Sequence, residues 1–285
     1  MGSPNFAVPI LKALQDSRHK VLQVYTQPPK KKDRGQKKSL TPVHEFSLKN
    51  SISVRHPDKI DKDEEIEFIK KLNPDIIVVA AYGQILSSEL LNIKDFKFIN
   101  VHASLLPRWR GAAPIQRAIM NLDKETGISI MKIVPKLDAG PVLMKSKIKI
   151  FKDSNFKKIN EQLSELGSKM ILDSLELIEK NNDKFISQIE KEVTYAKKID
   201  KKETKINWNM DAKMVIGKIN ALSPNPGAWF YYEGSRLKVF KAIEIERHGK
   251  PGQIIDKNFS ITCAKNAIQI LELQKEGKKE MTTEE

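Results

Sequence analysis

Apolar residues recur in two alternating patterns along the first two thirds of the chain, as short continuous runs and as helical stripes. Residues 75–81 form an almost continuous apolar run, which is typical of a parallel strand buried on both faces. Residues 155–180 instead carry apolar side chains at helical spacing and predict a long amphipathic helix. Because strand and helix patterns alternate, we expect an α/β fold with a Rossmann-like, mostly parallel sheet.

The chain opens on a glycine turn with no apolar run before it. Residues 1–5 are typical of a turn, and the helix predicted after them carries Phe6, Ile10, Leu11 and Leu14 on one face. In a doubly wound sheet such a turn follows the first, central strand. We therefore expect that this strand is missing, that the neighbouring strands have an unpaired edge, and that Met1 is an internal methionine or a fragment boundary.

The pattern changes near residue 190. Residues 191–207 are rich in lysine and poor in apolar side chains, which predicts a linker. From residue 208 onward, short apolar strands alternate with glycine and proline turns, as in a small β-barrel. We therefore expect an α/β domain at 1–190, a linker at 191–207 and a β-domain at 208–285.

Composition indicates a globular protein. The 285 residues are 40% hydrophobic and 30% charged, which is enough to bury the cores of two domains. No apolar run approaches the roughly 18 residues of a membrane helix, and no signal peptide is recognisable, so we expect a cytoplasmic location. The single Cys263 cannot form an internal disulfide, and without a Cys or His cluster at ligand spacing we expect no metal.

The net charge of +14 favours a polyanionic partner, either nucleic acid or an acidic membrane surface. Lysine content can also follow genome composition, so charge alone leaves this open. Residues 208–285 carry twelve Lys and Arg against ten Asp and Glu, and most of the excess therefore lies earlier. The densest cluster of basic residues falls in residues 27–38, which we predict to form an irregular surface loop. Such a loop can neutralise phosphates. Its basic residues are Lys30, Lys31, Lys32, Arg34, Lys37 and Lys38.

The candidate chemistry lies in residues 98–114. Asn100 and His102 occupy alternate positions of a predicted strand, so their side chains leave the same face with Cα atoms about 6 to 7 Å apart. The strand ends in a loop at residues 104–107, where Pro107 disfavours a helix. A lone Asn or His at a strand end is more often a capping group. The pair beside this loop indicates function, because open α/β sheets place their sites at the carboxyl ends of strands.

The motifs of this chain resemble those of the formyltransferases that use 10-formyltetrahydrofolate. They are Asn100-x-His102-x-Ser104-Leu105-Leu106-Pro107-x-x-Arg110-Gly111, Thr126-Gly127-Ile128-Ser129 and Leu137-Asp138-Ala139-Gly140. Residues 112–117 and the second domain are most similar to the members that formylate methionyl-initiator tRNA for translation initiation. The resemblance runs nearly end to end and implies that 208–285 is an OB-like, tRNA-binding domain. It also implies a short apolar strand before the equivalent of Met1.

The resemblance implies that Asn100, His102 and Asp138 are catalytic. Formyl transfer to an amine is acyl transfer through a tetrahedral intermediate, which requires a donor for the developing oxyanion and a proton for the leaving nitrogen. Asn100 supplies amide N–H groups, and a protonated His102 supplies a charge-assisted donor. Asp138 is the expected partner of His102, and either residue could relay the proton of the amine.

The resemblance further implies a folate pocket and a basic loop that binds tRNA. The folate residues are Tyr82, Gly83, Ser104, Leu105, Leu106 and Pro107. Arg34 matches the key arginine of the family's basic loop. We expect 10-formyltetrahydrofolate as co-substrate, methionyl-initiator tRNA as partner, and a monomer. Two alternatives stay open: a sibling that formylates a small amine such as a ribotide or an amino sugar, and an RNA-binding relative without catalysis.

Overall fold

The computed structural model describes residues 1–32, 37–93 and 96–284. By contacts the chain divides into two compact units that are interleaved along the sequence. The first unit comprises Met1–Arg110, Gly127–Ile148 and Glu161–Thr194. The second comprises Gly111–Thr126, Lys149–Asn160 and Tyr195–Glu285. The domain limits expected from the sequence stay a prediction.

Helices are interspersed with strands up to residue 179, although the strands also occur in runs of two or three. In chain order these elements are α1 (Ala7–Gln15), β1 (Val24–Tyr25), β2 (Lys30–Lys32), β3 (Lys37–Ser39), α2 (Pro42–Lys49), β4 (Val54–Arg55), α3 (Asp63–Leu72), β5 (Ile76–Val79), α4 (Ser88–Leu91), β6 (Lys97–His102), β7 (Arg110–Gly111), α5 (Pro114–Met120), β8 (Glu125–Lys132), β9 (Val142–Lys149) and α6 (Phe156–Glu179).

The main sheet of the first unit has the strand order β5-β6-β8-β9. Strands β5 and β6 are parallel, and Val79 pairs with Asn100. Strand β8 is antiparallel to β6, and Ser129 pairs with His102. Strands β1 and β4 form a separate parallel pair. The predicted α/β class is confirmed, and the sheet is mixed.

The first two residues lie between β1 and β5. The Gly2 N–H donates to the Tyr25 carbonyl, and the Met1 carbonyl accepts from the Ala80 N–H, each at 2.9 Å. Beside them a groove of about 920 Å³ runs along β5. Its lining includes Ile76 and Val78, which are only half-buried. The prediction that this run is buried on both faces is therefore wrong for these two residues, because the groove leaves one face of β5 partly uncovered.

The predicted surface loop at 27–38 needs a correction. Strands β2 and β3 pair antiparallel there, with Lys30 opposite Ser39 and Lys32 opposite Lys37. Backbone N–H and C=O groups pair in a ladder whatever the side chains are, so a lysine-rich stretch can be regular. Arg34 lies outside the described residues.

Most of the remaining elements belong to the predicted β-domain. In chain order they are β10 (Tyr195–Ala196), α7 (Ala212–Leu222), β11 (Ala228–Tyr232), β12 (Ser235–Ile245), β13 (Ser260–Thr262), β14 (Ala267–Lys275) and β15 (Glu280–Thr282), with 3-10 helices at Glu190–Glu192 and Lys202–Thr204. Strands β11 to β15 form one antiparallel sheet in the order β11-β12-β14-β13, in which β15 pairs with β14. The sheet and α7 enclose a core that includes Ile219, Val239 and Ile270, and this confirms the predicted β-domain.

The predicted linker is partly built into this core. Ile206 is 4% exposed and belongs to the same cluster as Val239. Its N–H donates to the Trp229 carbonyl at 2.8 Å, so the segment is anchored by both its backbone and its side chain. Local composition did not indicate this, because one isoleucine among lysines carries too weak a pattern.

Candidate active site

The site begins at the carboxyl end of β6. Asn100 lies in the ladder between Val79 of β5 and Met131 of β8, and His102 pairs with Ser129 of β8. Asn100 is half-buried, and His102 is 5% exposed. Because the two residues alternate with Val101, their side chains leave the same face of the sheet. The strand thus presents an amide and an imidazole together, as the sequence predicts.

Each ring nitrogen of His102 faces a different group. Nε2 lies 2.9 Å from the Trp109 carbonyl oxygen. A carbonyl can only accept a hydrogen bond, so Nε2 carries a proton. Nδ1 lies 3.7 Å from Oδ2 of Asp138. Nδ1 is therefore the ring nitrogen that faces the carboxylate.

Asp138 stands on a turn between β8 and β9. The Ala139 N–H donates to the Lys136 carbonyl at 3.2 Å, and Asp138 has a φ of +46°, in the left-handed region. After it, Gly140 lies so close to β8 that a Cβ there would come within 1.8 Å of the Lys132 carbonyl oxygen. Glycine at 140 therefore lets the turn lie against β8. The structure brings Asp138 and His102 together.

The loop after β6 is fixed by Ser129. The Ser129 hydroxyl donates to the Ser104 carbonyl at 2.7 Å and accepts from the Leu106 N–H at 3.0 Å. The Ser104 hydroxyl donates to the Arg108 carbonyl at 2.6 Å. One buried hydroxyl of β8 thus holds the loop of the predicted folate residues beside His102.

The predicted folate residues of this loop differ in exposure. Leu106 is 1% exposed and packs with Met131 and Val142. Its carbonyl accepts from Lys145 Nζ. Leu105 is half-buried and Pro107 is buried. The Leu106 side chain therefore belongs to the core, and only its backbone can face a ligand.

Tyr82 and Gly83 follow β5, the strand beside β6. Tyr82 is 2% exposed, and its hydroxyl has no hydrogen-bond partner among the residues that the structure describes. Burial and the nearby Glu65 carboxylate raise the pKa of Tyr82. The Tyr82 carbonyl accepts from the Ser3 hydroxyl at 2.9 Å, and Gly83 has a φ of +87°. Ser3, near the start of the chain, therefore helps to hold the turn that contains Tyr82 and Gly83.

Neither a metal site nor a membrane-spanning helix is found in the described part of the chain. Residues 1–32, 37–93 and 96–284 contain no group of three or more His, Cys, Asp or Glu side chains that could hold a metal ion. Within the same ranges, every helix is too short or too polar to cross a membrane.

The structure adds one residue to the site that the sequence did not indicate. Gln188 donates to the backbone of the Asp138 turn. It lies in a stretch of mixed polarity without a recognisable motif. No local signal could have identified it, because its partners are far away in the sequence.

Comparisons with known proteins agree over both parts of the chain. A family model described as formyl transferase matches residues 1–175, and one described as formyl transferase, C-terminal domain, matches residues 198–285. A methionyl-tRNA formyltransferase of Pelagibacter ubique is 47% identical over 98% of this chain and 91% of its own length. Another, of Paramagnetospirillum magneticum, is 41% identical over 100% of this chain and 94% of its own length.

The fold likeness extends to solved structures. An N-formyltransferase from Helicobacter canadensis, in complex with folinic acid and dTDP-3-aminofucose, matches with a TM-score of 0.68. The match covers 94% of this chain and 97% of the other at 17% identity. At that identity the likeness concerns the fold alone.

Proposed function

The chain belongs to the formyl transferase family, and from this premise we propose that it transfers the formyl group of 10-formyltetrahydrofolate to methionyl-initiator tRNA, for translation initiation. The observation that carries the proposal is the approach of Asp138 to His102, in a chain whose relatives over nearly full length are methionyl-tRNA formyltransferases. These two residues come from separate stretches of the chain and face one another across 3.7 Å.

The reaction joins the amino nitrogen of methionine to the formyl carbon and breaks the bond from that carbon to N10 of the folate. Asn100 donates its amide N–H to the formyl oxygen as negative charge develops there. His102 acts through Nδ1, because Nε2 is held by the Trp109 carbonyl. Asp138 orients the ring from the Nδ1 side. Either Asp138 or a neutral His102, through Nδ1, takes the proton that the amine releases and returns it to N10 as the folate leaves.

The folate binds beside this pair in the proposal. Tyr82 and Gly83 follow β5, while Ser104, Leu105, Leu106 and Pro107 follow β6. Because β5 and β6 are parallel neighbours, both segments leave the same edge of the sheet. Support for a ligand at this edge comes from the exposed Gly83 and the half-buried Leu105, one on each segment.

The tRNA contacts the basic segment and the β-domain in the proposal. The segment contains Lys30, Lys31, Lys32, Arg34, Lys37 and Lys38. Neutralisation of phosphates by such residues releases counterions, which is the main source of affinity for nucleic acid. The domain limits at 1–190, 191–207 and 208–285 are part of the proposal, with 208–285 as an OB-like domain that binds tRNA.

We also propose that the protein acts as a monomer in the cytoplasm. Support for a monomer comes from the catalytic residues, which all belong to one chain and lie within one compact unit. Support for the location comes from the substrates proposed above. Light scattering on a sizing column tests the first point, and a mass twice that of the chain would contradict it.

One assay separates the proposed function from its alternatives. The protein is incubated with 10-formyltetrahydrofolate and, in parallel, methionyl-initiator tRNA, a glycinamide ribotide or a dTDP-amino sugar. We expect formylation of the tRNA alone. Transfer to a small amine would favour a sibling enzyme, and binding of tRNA without any transfer would indicate a relative that has lost catalysis.

A further inference from the structure

Arg110 is a fully buried arginine in the first unit, eight positions after the catalytic candidate His102. Its side chain is 0% exposed. Its Nε donates to Oε1 of Gln188 at 3.0 Å, and its Nη2 donates to Oε1 of Glu190 at 3.1 Å. A buried guanidinium is costly unless it is paired and hydrogen-bonded, so these contacts are needed to hold it. Arg110 in turn holds the Gln188 amide oxygen.

The other end of the Gln188 amide contacts the turn of Asp138. Nε2 of Gln188 donates to the Asp138 carbonyl at 2.8 Å and to the Gly140 carbonyl at 2.7 Å. The orientation of the amide follows from its partners, because an arginine only donates and a carbonyl only accepts. A reversed amide would place N–H groups against Arg110 and an oxygen against two carbonyls. Arg110 thus directs the Gln188 N–H groups towards the turn.

Such a support stabilises the Asp138 turn. Asp138 has a φ of +46°, a left-handed conformation that is uncommon for residues with a Cβ, although Asp adopts it more readily than most. The two carbonyls that Gln188 binds flank Ala139 and lie on either side of the turn tip. Without these bonds the backbone could relax, and the carboxylate would leave its place 3.7 Å from Nδ1 of His102.

We infer that Gln188 is a positioning residue for formyl transfer. Its amide is hydrogen-bonded both to buried Arg110 and to the backbone of the turn, and this anchors the turn. The turn in turn keeps the Asp138 carboxylate facing His102. In this inference Gln188 acts through Asp138 and not through a contact with substrate. The inference rests on the proposed function for its kinetic consequence, whereas the geometry of the turn can be tested without activity.

Gln188→Glu is the most informative change. It keeps an oxygen for Arg110 and replaces the donor group with a second acceptor against two carbonyls. We expect kcat for formyl transfer to fall about 10- to 100-fold, with KM for tRNA changed less than about threefold, since positioning errors near 1 Å cost about this much. Gln188→Met removes both contacts without adding charge, and it provides a second test should the first variant fail to fold.

Gln23→Glu is the matched control. Gln23 also accepts a hydrogen bond at Oε1, from Ser53, and donates from Nε2 to a backbone carbonyl, that of Val24, but it lies outside the proposed site. We expect its kcat to equal that of the wild type. A similar loss of kcat in this control would indicate a general effect of the added charge and would overturn the inference.

A double-mutant cycle and a spectroscopic readout complete the test. In an Asp138→Asn background, we expect Gln188→Glu to lower kcat less than about threefold, because the group it positions is already lost. A full additional loss would overturn the inference. Independently of activity, the carboxyl carbon signal of Asp138 at neutral pH should differ in chemical shift between Gln188→Met and the wild type. An unchanged chemical shift would also overturn the inference, whereas a wild type without transfer activity would contradict only the proposed function.

Discussion

His102 is held with one ring nitrogen against a backbone carbonyl and the other facing Asp138. The Trp109 carbonyl that occupies Nε2 belongs to a residue with a φ of +63°, and the Trp109 N–H donates to Oγ1 of Thr194 at 2.9 Å. A non-glycine residue keeps this conformation only when its surroundings fix it. Thr194 therefore contributes to the orientation of the ring, and in the proposed function Nδ1 is left for Asp138 and the reacting groups.

Asn100 offers the simplest test at this scale. Replacing Asn100 with alanine should lower kcat about 100- to 1000-fold, because the loss of one preorganised donor to a developing oxyanion has an effect of this size. KM for tRNA should change little, since the amide acts on the reacting group. Steady-state kinetics with both substrates measures this.

The control for this change is Asn50→Ala. Asn50 is the C-cap residue of α2, and its side-chain amide donates to the Phe46 carbonyl in an exposed position. It should retain wild-type kcat with a small loss of thermal stability. An Asn100→Ala protein that keeps more than about a third of the wild-type kcat would exclude Asn100 from the reaction.

At the scale of elements, α3 is tied to two strands by one buried carboxylate. Glu65, in the first turn of α3, accepts from Arg55 Nε at 2.9 Å and Nη2 at 2.8 Å, and from the Tyr25 hydroxyl at 3.1 Å. Tyr25 lies on β1 and Arg55 on β4. The Arg55 guanidinium also lies 4.2 Å from the ring centroid of Phe68. The contacts are charge-assisted, and they lock the helix against the β1–β4 pair.

This cluster predicts a loss of stability in acid. The hydrogen bonds from Arg55, with a smaller contribution from Tyr25, lower the pKa of Glu65 below its ordinary value, although burial opposes them. A carboxyl group whose pKa is lower in the folded state stabilises the fold above its unfolded pKa of about 4.3, and the contribution is lost as pH falls through the folded pKa. The thermal midpoint should therefore fall on acidification below about pH 4.5.

Glu65→Gln isolates this contribution. We expect the variant to be less stable than the wild type at neutral pH, and the difference in free energy of unfolding to shrink by about 1 to 2 kcal/mol in acid. Thermal melts between about pH 3 and pH 7 measure it. Glu64→Gln, at an exposed side chain 3.7 Å from Arg55, serves as the control. Parallel stability curves for the wild type and Glu65→Gln would show that this carboxylate has no part in acid sensitivity.

At the scale of the molecule, charge is distributed unevenly. The whole chain carries a net charge of +14, while residues 208–285 are nearly balanced. The excess in the preceding residues suits a partner with many phosphates. In the proposed function, the basic segment around β2 and β3 makes a large part of the contact with tRNA.

Salt dependence tests this assignment. Changing Arg34 to Gln should weaken tRNA binding and reduce the slope of log Kd against log salt by about 1. The reason is that the loss of one phosphate contact reduces by about one the number of counterions released on binding. The matched control is Lys70→Gln, since Lys70 pairs with Glu67 on α3 at 2.7 Å and lies outside the proposed interface. An equal change of slope in both variants would mean that only total charge matters.

The sequence by itself determined the local features of this protein. Alternation along β6 places Asn100 and His102 on one face, because the side-chain period of a strand is two wherever that strand lies. The order of apolar runs and helical stripes predicted the α/β unit, and glycine and proline turns predicted the β-domain. The regular β2 and β3 strands were not predicted, because their backbone pairing is not accompanied by an apolar pattern in this lysine-rich stretch.

Only the tertiary structure decided how distant residues meet. Gln188 contacts Asp138 across 50 positions and Arg110 across 78, and no local pattern encodes such separations. Packing also decided that the Leu106 side chain joins the core and that His102 is anchored by the Trp109 carbonyl. Buried polar groups must find partners, and which partners are within reach depends on how the loops after β6 and β8 fold against each other.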